Sequence, residues 1–347
     1  MSTPRSVASP NVPVADKDFA SDVQYYLTLE PRQLPSRYLY DALGSALFNA
    51  ICELPWYRIT RAELKLLETH GRAIFAGGGA RALTRIVELG PGNGSKLRTL
   101  LGAAGYGPAE AGHHGEHSHG AAQSGDYEIH LVDVSATALD EASRALAMFE
   151  DARVIGHVAT YEAGLDEIAR QGTPGRTLVL FLGSNIGNFD RPCAEAFLRG
   201  TRSALARGDQ LLIGADLVKP EADLLLAYDD PLGVTAAFNR NLLVRINRDL
   251  GGDFDLDGFA HRAVWNAAES RVEMHLVSLR PQQVRIPAAE IDVSLEEGET
   301  IWTESSYKYE LSELIHLLES ASFRPVAHWT APGEGDNRFV LMLVRAD

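Results

Sequence analysis

Cysteine is nearly absent from this chain: Cys52 and Cys193 are the only two in 347 residues. Two thiols cannot build a disulfide framework, and their scarcity points to a reducing compartment. Also missing is any apolar run near the roughly 18 residues that a membrane-spanning helix needs. Residues 1–17 contain Pro, Ser and Asp but no apolar stretch, so no signal peptide is expected. Basic residues are the minority charge, 32 Lys and Arg against 47 Asp and Glu, for a formal net charge of −15. Nucleic acids and anionic membrane surfaces are held by basic patches, so neither is an expected partner. No internal repeat is evident. These absences predict a cytoplasmic globular protein.

What is present is enough apolar material, 45% of residues, to bury cores, in a chain long enough for two domains. Residues 36–54 carry Leu39, Leu43, Leu47, Phe48 and Ile51 at helical spacing. Thr60 with Glu63 three residues on reads as a capping box opening a helix through His70. From there strands at 85–89, 128–132, 153–157, 177–182 and 210–215 alternate with helices at 96–102, 136–149 and 193–206. Apolar strands separated by helices predict a parallel, doubly wound α/β sheet. After Lys219 the pattern changes to helix over 222–249 and antiparallel β over 262–277 and 283–295. A helix at 311–321 and a hairpin of 323–329 with 338–344, turning at 333–336, close the chain. That terminal hairpin resembles the antiparallel return of class I methyltransferases. The expected domains are 60–214 with 310–347, and 1–59 with 215–309, the latter containing an α+β insertion.

Gly90-Pro91-Gly92-Asn93-Gly94 follows the first strand as a G-x-G-x-G loop, distinct from the dinucleotide and Walker patterns. Glycines here remove Cβ atoms so that backbone can approach a ligand; an ordinary tight turn is the alternative. Asp133 closes the second strand, where an acidic side chain commonly accepts both ribose hydroxyls; an N-cap for the next helix is the alternative. S-adenosylmethionine suits this set better than NAD. It has no pyrophosphate to seat on a helix N-terminus, and Glu88 beside the first glycine suits its amino group and sulfonium. Gly183-Ser-Asn-Ile-Gly-Asn188 follows the fourth strand, at the carboxyl end of the sheet where such folds place ligands. Far along the chain, Ile301-Trp-Thr-Glu-Ser-Ser-Tyr-Lys-Tyr309 puts a carboxylate and hydroxyls together, which suits gripping a polar, nitrogen-bearing small molecule.

Taken with Tyr40-Asp-Ala-Leu-Gly-Ser-Ala-Leu-Phe48, Leu54-Pro-Trp-Tyr-Arg-Ile-Thr-Arg-Ala-Glu63, Asp216-Leu-Val-Lys219, Arg271-Val-Glu-Met274 and the segment from Ala227 to Asn241, these motifs resemble the ergothioneine-pathway L-histidine Nα-methyltransferases. The resemblance runs from about residue 20 to the end. It implies a class I S-adenosylmethionine-dependent methyltransferase that trimethylates L-histidine to hercynine without a metal. It further implies that Asn188 and Tyr228 hold the α-amino and carboxylate end, with Tyr40 against the amine, so that Tyr40 and Asn188 are the catalytic candidates. Tyr57, Glu304 and Ser306 would surround the imidazole, and Phe48 and Met274 would line the pocket. Gly90, Lys96, Asp133 and Gly183 would contact S-adenosylmethionine, and Tyr161 stands near the adenine where another aromatic is common.

Taken singly, these residues have plainer roles: Tyr40 and Tyr57 as core-edge tyrosines, Asn188 as a turn former, Met274 as core, Glu304 and Lys96 as solvated charges. Two other functions compete. A relative acting on tryptophan or tyrosine would be expected to lack Glu304 or to differ at Met274. A zinc- or nickel-binding protein would use His113-His-Gly-Glu-His-Ser-His119, whose spacing lacks the fixed geometry of a structural site and reads as a surface insertion. The chain is expected to act as a monomer on a small molecule.

Overall fold

The computed structural model describes residues 16–76, 82–106, 127–172, 175–331 and 338–347. Contacts divide the chain into two compact units. One comprises residues 59–186, 191–217 and 309–347; the other comprises the residues through Arg58 together with 187–190 and 218–308. The segment 187–190, expected within the sheet domain 60–214, clusters with the second unit.

The first unit holds a seven-stranded sheet. Its strands are β1 (Leu83–Leu89), β2 (Tyr127–Asp133), β3 (Ala152–Val158), β4 (Arg176–Phe181), β5 (Gln210–Asp216), β6 (Phe323–Thr330) and β7 (Phe339–Ala346). Their spatial order is β6-β7-β5-β4-β1-β2-β3. Strands β1 to β5 pair in parallel, and β7 runs antiparallel to both of its neighbours. β4 and β5 are buried along their whole length, as apolar strands covered on both faces must be. Edge strand β6 alternates buried and exposed residues instead. Its Pro325 lies where the register shifts, an edge position that tolerates a missing N–H. The predicted doubly wound sheet with an antiparallel last strand is what forms; the turn at 333–336 lies outside the described residues.

The strand order reverses at β1. The chain builds outward through β2 and β3, then returns to place β4 on the other side of β1. Right-handed crossovers therefore put the helices Ser95–Ala104 and Ala136–Leu146 on one face and Tyr161–Arg170 and Arg191–Ala204 on the other. Such a reversal leaves an open crevice at the carboxyl ends of the two strands that flank it, here β1 and β4. The two glycine loops leave the sheet from these ends.

The second unit is built on a four-stranded sheet in the order Arg32–Gln33, Thr300–Tyr307, Arg271–Ser278, Phe259–Asn266. A separate hairpin pairs Gln282–Ile286 with Ile291–Leu295. Each β segment read from the sequence at 262–277 and 283–295 is thus a hairpin, with Ser270 and Glu290 both at φ 51° in the turns. The helical stretch 36–54 also divides. A short 3-10 turn, Ser36–Leu39, ends before Tyr40, and the Asp41 carboxylate accepts from Gly44 N at 2.8 Å to start the helix Ala42–Glu53. The stretch 222–249 divides around Pro231 into Glu221–Tyr228 and Val234–Leu250, and Asp230 accepts from the amides of Leu232, Val234 and Thr235 to begin the second helix. Tyr40 and Tyr228 both sit at these breaks. Among the described residues no helix is long and apolar enough to cross a membrane.

Candidate active site

In the first unit, the loops after β1 and β4 meet around one buried carboxylate. Glu63, on the helix Ile59–Ala76, is fully buried. Its oxygens accept from Gly183 N at 2.8 and 2.9 Å, and one pairs with Lys96 Nζ at 2.8 Å. Gly214 on β5 makes room for it, since a Cβ there would collide with Glu63 Oε1. The helix begins at Ile59, so Thr60 is not its cap, and the capping box read at Thr60 and Glu63 is corrected: Glu63 turns inward to the loops.

Gly90 has φ 71° and Gly183 has φ 79°, both left-handed. A Cβ on Gly90 would come within 2.8 Å of the Tyr161 hydroxyl, and one on Gly183 within 2.6 Å of Lys96 Nζ. The loops are therefore bare of side chain where Tyr161 and Lys96 approach. Tyr161 opens the helix Tyr161–Arg170 and sets its ring edge-on to Phe181 at 5.4 Å. Asp133 ends β2 beside them, for Gly90 N donates to Val132 O at 2.9 Å. The helix that follows is capped by Ser135, whose Oγ accepts from Ala138 N, so the N-cap alternative for Asp133 is set aside. One Asp133 oxygen accepts from Ser135 N at 2.8 Å. Burial raises its carboxyl above the ordinary value against the pull of the Ser135 and Val134 amides.

Glu88, two residues before Gly90, is buried with neither carboxylate oxygen hydrogen-bonded. Burial pushes its carboxyl up to about 8, with the Lys96 cation pulling down and Glu63 pushing further up. A buried acid without a partner, two Cβ-free turns and an acidic residue closing β2 fit a cationic, ribose-bearing ligand such as S-adenosylmethionine.

In the second unit, aromatic rings form a continuous wall. Tyr40 lies edge-on to Phe48 at 5.6 Å and to Phe238 at 5.5 Å, Phe48 meets Tyr57 at 6.2 Å, and Tyr57 meets Tyr228 at 6.2 Å. His261 Nε2 donates to the Tyr228 carbonyl at 2.8 Å and its Nδ1 accepts from Asn239 at 3.0 Å, fixing the helix end that carries Tyr228. The wall continues in hydroxyls: Tyr228 Oη donates to Ser306 Oγ at 2.7 Å, and Lys308 Nζ donates to both, at 2.8 and 2.9 Å.

Glu304 stands opposite Met274 in the antiparallel register, and Ser306 opposite Val272, so all four side chains share one face of the sheet. Met274 is 2% exposed and Glu304 8%. Burial pushes the Glu304 carboxyl up to about 7 against the downward pull of Lys308. A carboxylate and a hydroxyl among aromatic rings can bind a flat, nitrogen-bearing ring.

Two groups of the predicted residues are thus brought together. Gly90, Lys96, Asp133, Tyr161 and Gly183 gather at the loops after the parallel strands. Tyr40, Phe48, Tyr57, Tyr228, Met274, Glu304 and Ser306 gather in the second unit. Asn188 ends the 3-10 turn Asn185–Asn188 on a separate segment that clusters with the second unit. The His-rich run 113–119 lies outside the described residues. Sequence reasoning gave no role to Phe238 or Lys308 and misplaced Glu63. Phe238 falls in the helical stretch, Lys308 ends a recognised motif whose carboxylate and hydroxyls alone drew a role, and Glu63 is masked by a sound local pattern.

A family model described as histidine-specific methyltransferase, SAM-dependent, matches residues 19–346. Over 90% of both chains, the sequence is 38% identical to a histidine N-alpha-methyltransferase of Mycolicibacterium smegmatis. It is 40% identical to one of Mycobacterium tuberculosis, over 89% of this chain and 90% of that one. It is also 29% identical to the ergothioneine biosynthesis protein 1 of Neurospora crassa, over 88% of this chain and 32% of that much longer one.

Proposed function

We propose that this chain, which belongs to the histidine-specific, S-adenosylmethionine-dependent methyltransferases, methylates the α-amino nitrogen of L-histidine three times, giving hercynine at the first step of ergothioneine synthesis. The named relatives support the substrate and the pathway. The observation that carries the reading is the buried Glu304 carboxyl with Ser306 beside it and Met274 across from it, inside a wall of aromatic rings. Imidazole carries ring nitrogens that can donate to and accept from such groups, which indole and phenol side chains cannot match at both positions.

When bound, S-adenosylmethionine supplies an activated methyl group. Asp133 would accept its ribose hydroxyls, the bare turns at Gly90 and Gly183 would admit it, Tyr161 would lie near its adenine, and Lys96 would hold the loops through Glu63. The nucleophile must be the neutral amine, and an α-amino group with a reference pKa near 8 is partly deprotonated at neutral pH. Tyr40 would lie against that amine while Asn188 and Tyr228 hold the amino-acid end. No strong base is needed, because alignment of the nitrogen supplies much of the rate and water can take the proton. The rings of Tyr40, Phe48 and Tyr57 can carry the cationic methylated intermediates by cation–π contact. Two cysteines, Cys52 and Cys193, are too few for a disulfide framework, which supports a cytoplasmic enzyme; it is taken to act as a monomer without a metal.

Mass spectrometry of the purified protein with S-adenosylmethionine and each of the twenty amino acids tests this. Histidine should gain one, two and then three methyl groups. Methylation of tryptophan or tyrosine in place of histidine would overturn the substrate.

A further inference from the structure

Lys308 follows directly on the strand Thr300–Tyr307 and is 1% exposed. Burying a lysine is costly, so a lysine retained there must be engaged by its surroundings. Its ammonium donates to Tyr228 Oη and Ser306 Oγ and lies 4.7 Å from the centroid of the Tyr228 ring. Tyr228 Oη itself donates to Ser306 Oγ. A serine hydroxyl has two lone pairs and one hydrogen. With both lone pairs taken by Lys308 and Tyr228, Ser306 has only its hydrogen to offer a ligand. Two residues earlier on the same face, Glu304 offers an acceptor.

We propose that Lys308 is a positioning residue for the substrate ring: it holds Ser306 as a hydrogen-bond donor and Glu304 as an ionised acceptor, so that the pocket takes neutral imidazole in a single tautomer. This deepens the histidine reading and rests on it. Neutral imidazole has one N–H and one lone pair, which one donor and one acceptor match in one orientation.

The charges around Glu304 leave this role to Lys308. On the neighbouring strand Val272 and Met274 share its face, while Arg271, Glu273 and His275 alternate to the other face, where Glu273 pairs with Arg271 at 2.7 Å and with His275 at 3.2 Å. On the other side Arg32 pairs with Glu299 at 2.7 Å. From the helix Glu221–Tyr228 comes the Tyr228 hydroxyl, and from the strand Phe259–Asn266 comes His261. Burial lowers the pKa of His261, and its ring nitrogens are engaged by the Tyr228 carbonyl and Asn239. Asp229 and Asp230 follow that helix, with Asp230 occupied by the amides of Leu232, Val234 and Thr235.

The test compares Lys308→Met and Lys308→Arg with wild type in kcat and KM for L-histidine across pH 6 to 9.5 at saturating S-adenosylmethionine. Each variant is also made in a Glu304→Gln background. In Lys308→Met, KM should rise about tenfold with kcat little changed. The acid limb of kcat/KM should move up by about one pH unit, because the carboxyl has lost its neighbouring cation. Lys308→Arg keeps the charge and should leave that limb in place while raising KM. In the Glu304→Gln background the Met substitution should move no limb. Histidine's own groups titrate alike in all variants, so these differences belong to the protein.

An unmoved limb and unchanged KM in Lys308→Met would overturn the role of Lys308 and leave histidine as substrate. Should Lys308→Met not fold, a displaced limb in Lys308→Arg overturns the role and an unmoved limb with raised KM upholds it. Failure of wild type to methylate histidine would overturn both readings.

Discussion

At the scale of single residues, Glu304 is the proposed contact for the substrate ring. Its carboxyl is buried, pushed up to about 7, and set across the register from Met274. Replacing it by alanine removes a hydrogen-bonding charge from a pocket whose other polar groups are then left unmatched. Glu304→Ala should cost about 2–3 kcal/mol in kcat/KM for histidine, read from steady-state kinetics. Met274→Val widens the opposite wall, and the double variant should gain activity on tryptophan. Wild-type histidine turnover by Glu304→Ala, with nothing gained on tryptophan, would remove Glu304 from the ring contact. In the sequence Glu304 was legible only as part of its motif, since alone it reads as a solvated strand residue. Lys308, four residues on, was not legible at all, because nothing local shows that its chain end is buried.

Elements matter through the ends they bring together. The helix Ile59–Ala76 and the turns after β1 and β4 are far apart in sequence, and Glu63 joins them through Gly183 N and Lys96 Nζ. Glu63→Gln keeps the shape but turns one acceptor into a donor facing Lys96. Affinity for S-adenosylmethionine should fall about tenfold by calorimetry, as for loss of a charged hydrogen bond. Asp133→Ala should lose at least about tenfold, with the fold retained because Ser135 caps the following helix. Unchanged affinity in Asp133→Ala would take Asp133 out of the cofactor site, whereas unchanged affinity in Glu63→Gln would show that the loops hold their form without it.

For the whole molecule, Glu88 links stability to pH. Unfolded, its carboxyl releases its proton near the ordinary 4.5; folded, near 8. Between those values the folded state holds the extra proton, so this contribution is fully present below 4.5 and is lost as pH rises through 8. The slope is at most about 1.4 kcal/mol per pH unit. Urea unfolding of the ligand-free protein at pH 5.5, 7 and 8.5 should show Glu88→Gln losing less stability with rising pH than wild type does. Parallel curves for the two proteins would show that Glu88 is paired or hydrated. Such an acid is suited to a cationic ligand, whose binding would supply the missing charge.

By itself the sequence determined the alternation that makes a parallel sheet, the glycine turn after its first strand, and the family, because apolar runs and loop chemistry are local properties of the chain. It also determined most members of both residue groups, through motifs long enough to be recognised. Only the tertiary structure decided which of two locally valid roles a residue takes. Glu63 satisfies a capping pattern yet faces Gly183, because β5 offers room at Gly214. Asp133 is free of capping because Ser135, two residues on, takes that duty. Lys308 is a buried donor and not a surface charge because Tyr228, brought from a helix eighty residues earlier, covers it. Burial and hydrogen-bond partners come from segments remote in the chain, and local pattern carries no record of them.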